Sequence, residues 1–136
     1  MASEVTLISV SEDSRLVFGD YTLEAKAKQP DFAFCGDIYK VKTFKDITKL
    51  EKNERFLYES VPGTKVEGFV QKADEVDFYV SGYTDTQITL ELAEKTEYEV
   101  LIDDVSAGTY TTNIGGKLSL SVELGQAQKH IRIVRK

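Results

Sequence analysis

The stretch TEYEVLIDDVSAGTYTTNIGGKLSLSVELGQAQKHIRIVR, residues 96–135, decides the fold, because apolar residues recur along it at every second position. That period is typical of a β-strand with one buried and one solvated face. In the run KLSLSVEL, residues 117–124, leucine and valine alternate with lysine, serine and glutamate. The stretch therefore predicts a C-terminal four-stranded antiparallel meander.

Three turn signals separate these four strands: Asp103-Asp104, residues 113–116 (NIGG) and residues 125–128 (GQAQ). Aspartate tolerates the left-handed backbone region and bonds its own backbone two residues on, so Asp103-Asp104 predicts a tight reversal. In the last strand the alternation places Ile131 and Ile133 inward. The apolar faces and the turns of this stretch are thus explained by the fold.

The rest of the chain repeats short apolar runs with turn signals between them, which is typical of an all-β, antiparallel β-sandwich, immunoglobulin-like or jelly-roll-like. We expect a hairpin at Gly19-Asp20, a loop over residues 26–30 because it ends in a proline, and either a bulge or a close backbone approach at Gly68. For residues 45–53 we favour a strand or a single turn over a helix. The N-terminal half, to about Pro62, would form the second sheet.

Composition bounds the function. With 136 residues and 15.3 kDa, residues 1–136 fit a single domain. The net charge is -6, and the lysines are scattered along the sequence among carboxylates. Nucleic-acid and membrane partners are therefore not expected, because both need clustered basic residues.

Cysteine content and apolar content bear on the compartment. A lone cysteine rules out an intrachain disulfide, and no apolar run reaches signal-peptide or membrane-spanning length. The sequence therefore predicts a cytoplasmic protein.

Two residues have side chains that often carry chemistry. His130 is the only histidine. It is expected at an outward or edge position of the last strand, with a structural or solvent-exposed role, because no second histidine or cysteine lies near it for a metal. Cys35, between Phe34 and Gly36, is expected to be a small buried hydrophobe rather than a nucleophile. No catalytic residue, metal site or cofactor is predicted.

Tyrosines and carboxylates supply the remaining candidates. Tyr58, Tyr79, Tyr83 and Tyr110 fall near strand ends or opposite the inward residues, so they are candidate ligand-binding residues that could stack on sugars or join a protein interface. Aromatic residues in strands also serve as core packing, which is the alternative for each of them. The paired carboxylates, such as Asp103-Asp104, sit in turns, where aspartate usually bonds the backbone.

Residues 19–64, GDYTLEAKAKQPDFAFCGDIYKVKTFKDITKLEKNERFLYESVPGT, joined to the C-terminal tail, resemble a family of short clostridial proteins often labelled endosialidase. The tail YEVLIDDVSAGTYTTNIGGKLSLSVELGQAQKHIRIVRK is also similar to β-sandwich modules of bacterial glycosidases and surface proteins. The resemblance implies a β-sandwich and adds a glycan-active enzyme to the functions to be weighed. Sialidases use an arginine cluster, and no catalytic residue of that class carries over to a position of this sequence.

Fold and composition together favour a non-enzymatic interaction or structural module. A carbohydrate-binding module is the alternative and requires an exposed aromatic platform or groove. A glycan-active enzyme is the second alternative, and it requires two carboxylates converging in a cleft. The expected partner is a protein or a glycan, and edge-strand pairing into a homo-oligomer is compatible with a sandwich.

Overall fold

A computed structural model describes residues 7–125 and 127–136, and every regular element within these ranges is a β-strand. None of the described residues belongs to a helix long and apolar enough to cross a membrane. The strands are β1 (Ile8–Val10), β2 (Leu16–Phe18), β3 (Ala27–Phe34), β4 (Asp37–Phe44), β5 (Ile47–Lys52), β6 (Arg55–Val61), β7 (Lys65–Gln71), β8 (Glu75–Ser81), β9 (Thr86–Glu91), β10 (Glu97–Ile102), β11 (Val105–Thr111), β12 (Lys117–Val122) and β13 (Lys129–Arg135).

The strands form two antiparallel sheets that pack as a sandwich. The seven-stranded sheet has the order β1-β2-β7-β8-β13-β10-β11, and the six-stranded sheet has the order β12-β9-β6-β5-β4-β3. This confirms the predicted all-β sandwich. The order also makes β13 an interior strand, flanked by β8 and β10.

The core lies between the two sheets and has an aromatic centre. Tyr58 meets Phe18 and Phe78 edge to face, with ring centroids 5.3 and 5.8 Å apart. Phe69 touches both phenylalanines, at 5.6 and 5.7 Å. Each such aromatic pair contributes about 0.5–1.5 kcal/mol beyond the area it buries. These four rings join β2, β6, β7 and β8, so they tie one sheet to the other.

The predicted C-terminal meander is wrong in one strand. β10 and β11 form a hairpin and β13 pairs with β10, but β12 pairs with β9 in the six-stranded sheet. Alternation cannot distinguish these partners, because Leu118, Leu120 and Val122 face the same core from either sheet. The segment after β11 carries the chain from the seven-stranded to the six-stranded sheet. It is held by Thr112, whose hydroxyl donates to the carbonyl of Ala93 at 2.6 Å.

The tight reversal predicted at Asp103-Asp104 is confirmed. The two residues form the entire connection between β10 and β11, with φ angles of 52° and 66°. Positive φ at both central positions is the geometry that matches the twist of a two-residue hairpin. Gln126, in the last predicted turn of the stretch, lies outside the described residues.

The N-terminal half differs from the prediction in two places. The predicted loop over residues 26–30 is wrong, because Ala27 to Pro30 belong to β3. This strand is at the edge of its sheet, and its register shifts between Gln29 and Phe32, so the missing donor of Pro30 costs little there. The hairpin at Gly19-Asp20 is also wrong, because residues 19–26 contain no strand.

Other expectations for this half hold in part. Residues 47–52 form β5, which confirms a strand in the segment 45–53, and the register shift at Gly68 confirms the bulge there. The second sheet is not the whole N-terminal half, since β1 and β2 join the seven-stranded sheet. The six-stranded sheet instead combines β3–β6 with β9 and β12. Its outer face between β3 and β5 forms the surface considered next.

A candidate anion-binding surface

Tyr58 is not a surface residue. It is fully buried, and its hydroxyl lies 2.8 Å from the Thr64 hydroxyl, which in turn lies 2.7 Å from that of Ser60. Burial raises the pKa of Tyr58 well above its ordinary value. The prediction of a ligand-binding role is therefore wrong, because the side chain completes a buried hydroxyl network in the core.

Tyr79, Tyr83 and Tyr110 do not share a surface. Tyr79 is on the outer face of β8, since its neighbours Phe78 and Val80 are buried. Tyr110 lies opposite the buried Tyr98 and packs against the core. They therefore face opposite sides of the seven-stranded sheet.

Tyr83, in the loop after β8, is 71% exposed and meets Tyr21 edge to face at 4.7 Å. The tyrosines proposed from sequence thus do not form a stacking platform together. Within residues 7–125 and 127–136, the aromatic partner of Tyr83 is Tyr21 alone.

His130 is in a polar network on the outer face of the seven-stranded sheet. Its ring stacks on Tyr79, with centroids 4.3 Å apart, and its Nε2 lies 2.8 Å from Asp77 Oδ1. Arg132 donates from Nε to Glu75 at 3.0 Å and lies 3.7 Å from Asp77. The outward position of His130 is confirmed. An edge position is wrong, because β13 lies inside the sheet.

The backbone of His130 also connects this network to the β10–β11 turn. Its N–H donates to Asp103 Oδ1 at 2.9 Å, and the Lys129 ammonium lies 3.5 Å from the same carboxylate. The hydrogen bond from His130 is the main cause that lowers the pKa of Asp103, and Lys129 adds to it. Asp103 is therefore fixed by the neighbouring strand β13.

Replacing Asp103 by asparagine is expected to flatten the acid limb of the stability curve. The folded pKa of Asp103 lies below the unfolded one, so its carboxylate stabilises the fold above pH about 4 and loses that effect as the pH falls. Asparagine tolerates positive φ and keeps an acceptor for the His130 N–H, so the turn itself should persist. Thermal unfolding between pH 7 and 3 measures the difference. A carboxyl NMR titration showing Asp103 at or above the usual aspartate pKa would contradict the prediction.

Cys35 is exposed, so the expectation of a buried hydrophobe is wrong. It is the first residue of the two-residue turn between β3 and β4, and its φ is 52°. The nearby rings of Phe34 and Tyr39 pack against each other, with centroids 6.5 Å apart, but residue 35 lies in the exposed turn. Nothing in the sequence signals a positive φ at a cysteine. Residue type alone therefore predicted burial of Cys35 and could not place it in a turn.

Five of the lysines lie together in space. Lys28, Lys42 and Lys49 are direct cross-strand neighbours on β3, β4 and β5. Lys40 lies on the same face of β4 two residues away, and Lys26, just before β3, is also close enough to lower the pKa of Lys42. We call Lys26, Lys28, Lys40, Lys42 and Lys49 the lysine surface. The alternate spacing in KAK (26–28) and KVK (40–42) is the signal that could have revealed it.

Lys42 is at the centre of the lysine surface. Its pKa is lowered, first by partial burial and then by the charges of Lys26, Lys28, Lys49 and Lys40. Lysine pairs directly opposite each other in a sheet repel, and each pair weakens the sheet by some tenths of a kcal/mol. An anion placed among them would remove that repulsion.

A hollow and a cleft adjoin at the lysine surface. The hollow has a volume of about 60 Å³ and lies between Lys28, Lys40, Lys42, Lys49 and Glu51. The larger cleft, of about 680 Å³, shares Lys40 and Glu51 with it. The cleft is lined by Pro30, Asp31, Ile38, Tyr39, Lys40, Glu51, Asn53 and Glu54. Its size is in the range of small-molecule sites, about 300–1,000 Å³.

The two parts of this surface differ in chemistry. The hollow is almost entirely cationic, while the cleft combines the exposed Ile38 with acceptor groups from Asp31, Glu51 and Glu54. The arrangement suits a ligand with a negative group at one end and hydrogen-bond donors at the other.

Comparisons of this chain with protein-family models, curated proteins and solved structures gave no match.

Proposed function

We propose that this protein is a non-enzymatic interaction module whose lysine surface binds an anionic ligand. The observation that carries the proposal is the row Lys28–Lys42–Lys49, three lysines paired directly across three adjacent strands. The chain as a whole has a net charge of -6, so overall composition does not account for this concentration of positive charge. A bound anion would offset the repulsion between the lysines of this row.

Local geometry supports an anion rather than an internal counter-charge. Lys49 has one carboxylate close by, with its Nζ 3.6 Å from Glu51, whereas Lys42 faces lysine on both neighbouring strands. The row continues to Glu59 on β6, opposite Lys49. The positive charge is therefore greatest toward β3, the edge of the sheet, which a ligand can approach freely.

Binding to dextran sulfate, with neutral dextran as the reference polymer, tests the proposal. The triple variant K28Q/K42Q/K49Q should bind on the order of 100-fold more weakly, because each lysine near an anionic surface contributes about 1 kcal/mol. The control K65Q/K72Q/K136Q changes the net charge equally at positions outside the lysine surface. It should keep most of the affinity, and equal losses in the two variants would refute the assignment of the site.

A carbohydrate-binding module is the second candidate, with an acidic carbohydrate as ligand. The observation that favours it is the cleft next to the lysines. Asp31, Glu51 and Glu54 would repel a uniformly anionic polymer, but their oxygens accept hydrogen bonds from sugar hydroxyls, and Ile38 offers an apolar contact. Ile38 is 47% exposed, so Ile38→Ser should leave the fold intact. It should weaken binding of polygalacturonate and leave dextran sulfate binding unchanged. If the substitution affects both polymers equally, or neither, the carbohydrate-binding role is contradicted.

An enzyme acting on glycans is the third candidate, and the carboxylates that could serve it are Asp31, Glu51 and Glu54, which line the cleft. Glu75 and Asp77 are neighbouring carboxylates, but both lie against Arg132, and Asp77 also bonds His130. They are on the outer face of a sheet, where Arg132 and His130 already contact their oxygens. A glycosidase instead needs one carboxyl group kept protonated beside the substrate.

A further inference from the structure

We propose that Lys42 is a site of reversible covalent attachment, at which its amine forms an imine with an anionic carbonyl compound. The ligand class is an aldehyde or ketone that also carries a phosphate or carboxylate, with the negative group held by the lysines around Lys42. The inference rests on the proposed function, because the same lysine surface must first bind the anion.

The position of Lys42 distinguishes it from the other lysines of the surface. It is half-buried and has Lys28 on one side and Lys49 on the other, each directly opposite in register. Lys49 lies 3.6 Å from Glu51, and Lys26 lies over the ring of Phe44 at 5.8 Å from its centroid. Lys28 and Lys40 are exposed at the margins of the hollow. Lys42 is thus the amine most surrounded by positive charge.

Such surroundings favour the neutral amine, which is the nucleophilic form. Neighbouring ammonium groups disfavour a further positive charge, and partial burial acts in the same direction. Desolvation or a nearby cation is the usual way in which proteins activate a lysine for imine formation. The lowered pKa of Lys42, caused first by burial and then by its lysine neighbours, agrees with the geometry.

Formation of the imine requires no oxidant or reductant. The Nζ lone pair of Lys42 adds to the carbonyl carbon, and the carbonyl oxygen takes a proton from a neighbouring ammonium, Lys28 or Lys49, which are the cross-strand neighbours of Lys42. The nitrogen of the adduct returns one proton to that neighbouring amine, which leaves a neutral carbinolamine. The resulting carbinolamine expels one water as the C=N bond forms. Hydrolysis of the imine reverses both steps, so attachment follows the concentration of the carbonyl compound.

The hollow and the cleft provide room for such a ligand. The hollow of about 60 Å³ has four lysines around it and is about the volume of two waters, which suits a small anionic group. The adjoining cleft of about 680 Å³ begins at Lys40 and can hold the body of the compound. An amine at the centre of the anion site is thereby brought close to a carbonyl on the bound molecule.

Pyridoxal 5′-phosphate, an aldehyde with a phosphate group, is a direct probe. The protein is treated with limiting reagent, the imines are fixed with borohydride, and the labelled peptides are quantified by mass spectrometry. Lys42 should carry several-fold more label than any other lysine. Pyridoxine 5′-phosphate, which has the phosphate but no aldehyde, should compete and reduce that label. K42R should lose this adduct, while the label at Lys72 stays at its wild-type level.

The outcomes separate the two proposals. Even labelling of all lysines, or a maximum at Lys28 or Lys49, overturns the inference about Lys42 even where dextran sulfate binding is lost in K28Q/K42Q/K49Q. If dextran sulfate binding is the same in that variant and in its charge-matched control, the proposed anion surface is itself wrong. Preferential label at Lys42 that pyridoxine phosphate does not reduce also overturns the inference, because the anion then plays no part.

Discussion

Replacing Gly116 by alanine is expected to lower the free energy of unfolding by about 3 kcal/mol or more. Gly116 has a φ of 77°, and a Cβ atom there would lie 2.3 Å from the carbonyl oxygen of Leu92. The obstacle is backbone, so no change of side-chain rotamer relieves it. The carbonyl of Gly116 also accepts the N–H of Leu92 at 2.7 Å, which joins the entrance of β12 to the end of β9.

The adjacent Gly115 provides a matched control. A Cβ on Gly115 would meet only the side-chain oxygen of Asn113, at 3.4 Å, and its φ is outside the left-handed region. Gly115→Ala should therefore change stability by less than about 1 kcal/mol. Urea unfolding followed by tyrosine fluorescence measures both variants. Equal stabilities for the two would contradict the steric account of how the chain crosses between the sheets.

Replacing Thr64 by valine is expected to cost about 3 kcal/mol, although valine has nearly the same shape. The Thr64 hydroxyl bonds those of Tyr58 and Ser60, and all three residues are fully buried. Valine leaves both of these hydroxyls without that partner, and an unsatisfied buried hydroxyl costs about 1–3 kcal/mol. The loss would appear as a lower denaturation midpoint with an unchanged slope.

A double-mutant cycle with Tyr58→Phe tests whether the hydroxyls act as one network. Tyr58→Phe alone should cost about 1 kcal/mol, because Thr64 keeps its bond to Ser60. Once Thr64 is valine, removing the Tyr58 hydroxyl removes an unsatisfied group, so the second change should cost less or even stabilise. A coupling energy of at least about 0.5 kcal/mol is expected. Strict additivity would show that the two hydroxyls act independently.

The places where sequence reasoning succeeded share a local physical cause. Strand alternation follows from burial of one face, and the Asp103-Asp104 reversal follows from the tolerance of aspartate for positive φ, so both are readable over a few residues. Sheet partners are not local. β12 presents the same apolar face whether it pairs with β11 or with β9, and the choice depends on the Thr112 contacts and on space at Gly116.

The candidate site was missed for the same reason. Each lysine looks ordinary in the sequence, where carboxylates lie nearby. The lysine surface arises only when the registers of β3, β4 and β5 place Lys28, Lys42 and Lys49 side by side. The prediction of an exposed Tyr58 was wrong for a different reason. A register shift at Leu50–Glu51 lets both Leu57 and Tyr58 be buried, so strict alternation places one of the two on the wrong face.

The interior position of β13 has a consequence for how the protein folds during synthesis. The hairpins of β3, β4, β5 and β6 bring together residues close in sequence, so the lysine surface can assemble as soon as that segment leaves the ribosome. β8 and β10 lack their shared neighbour, β13, until residues 129–135 have been made. The contact between Tyr79 of β8 and His130 of β13 can form only then. Assembly of β3–β6 is thus expected before completion of the seven-stranded sheet, which requires β13.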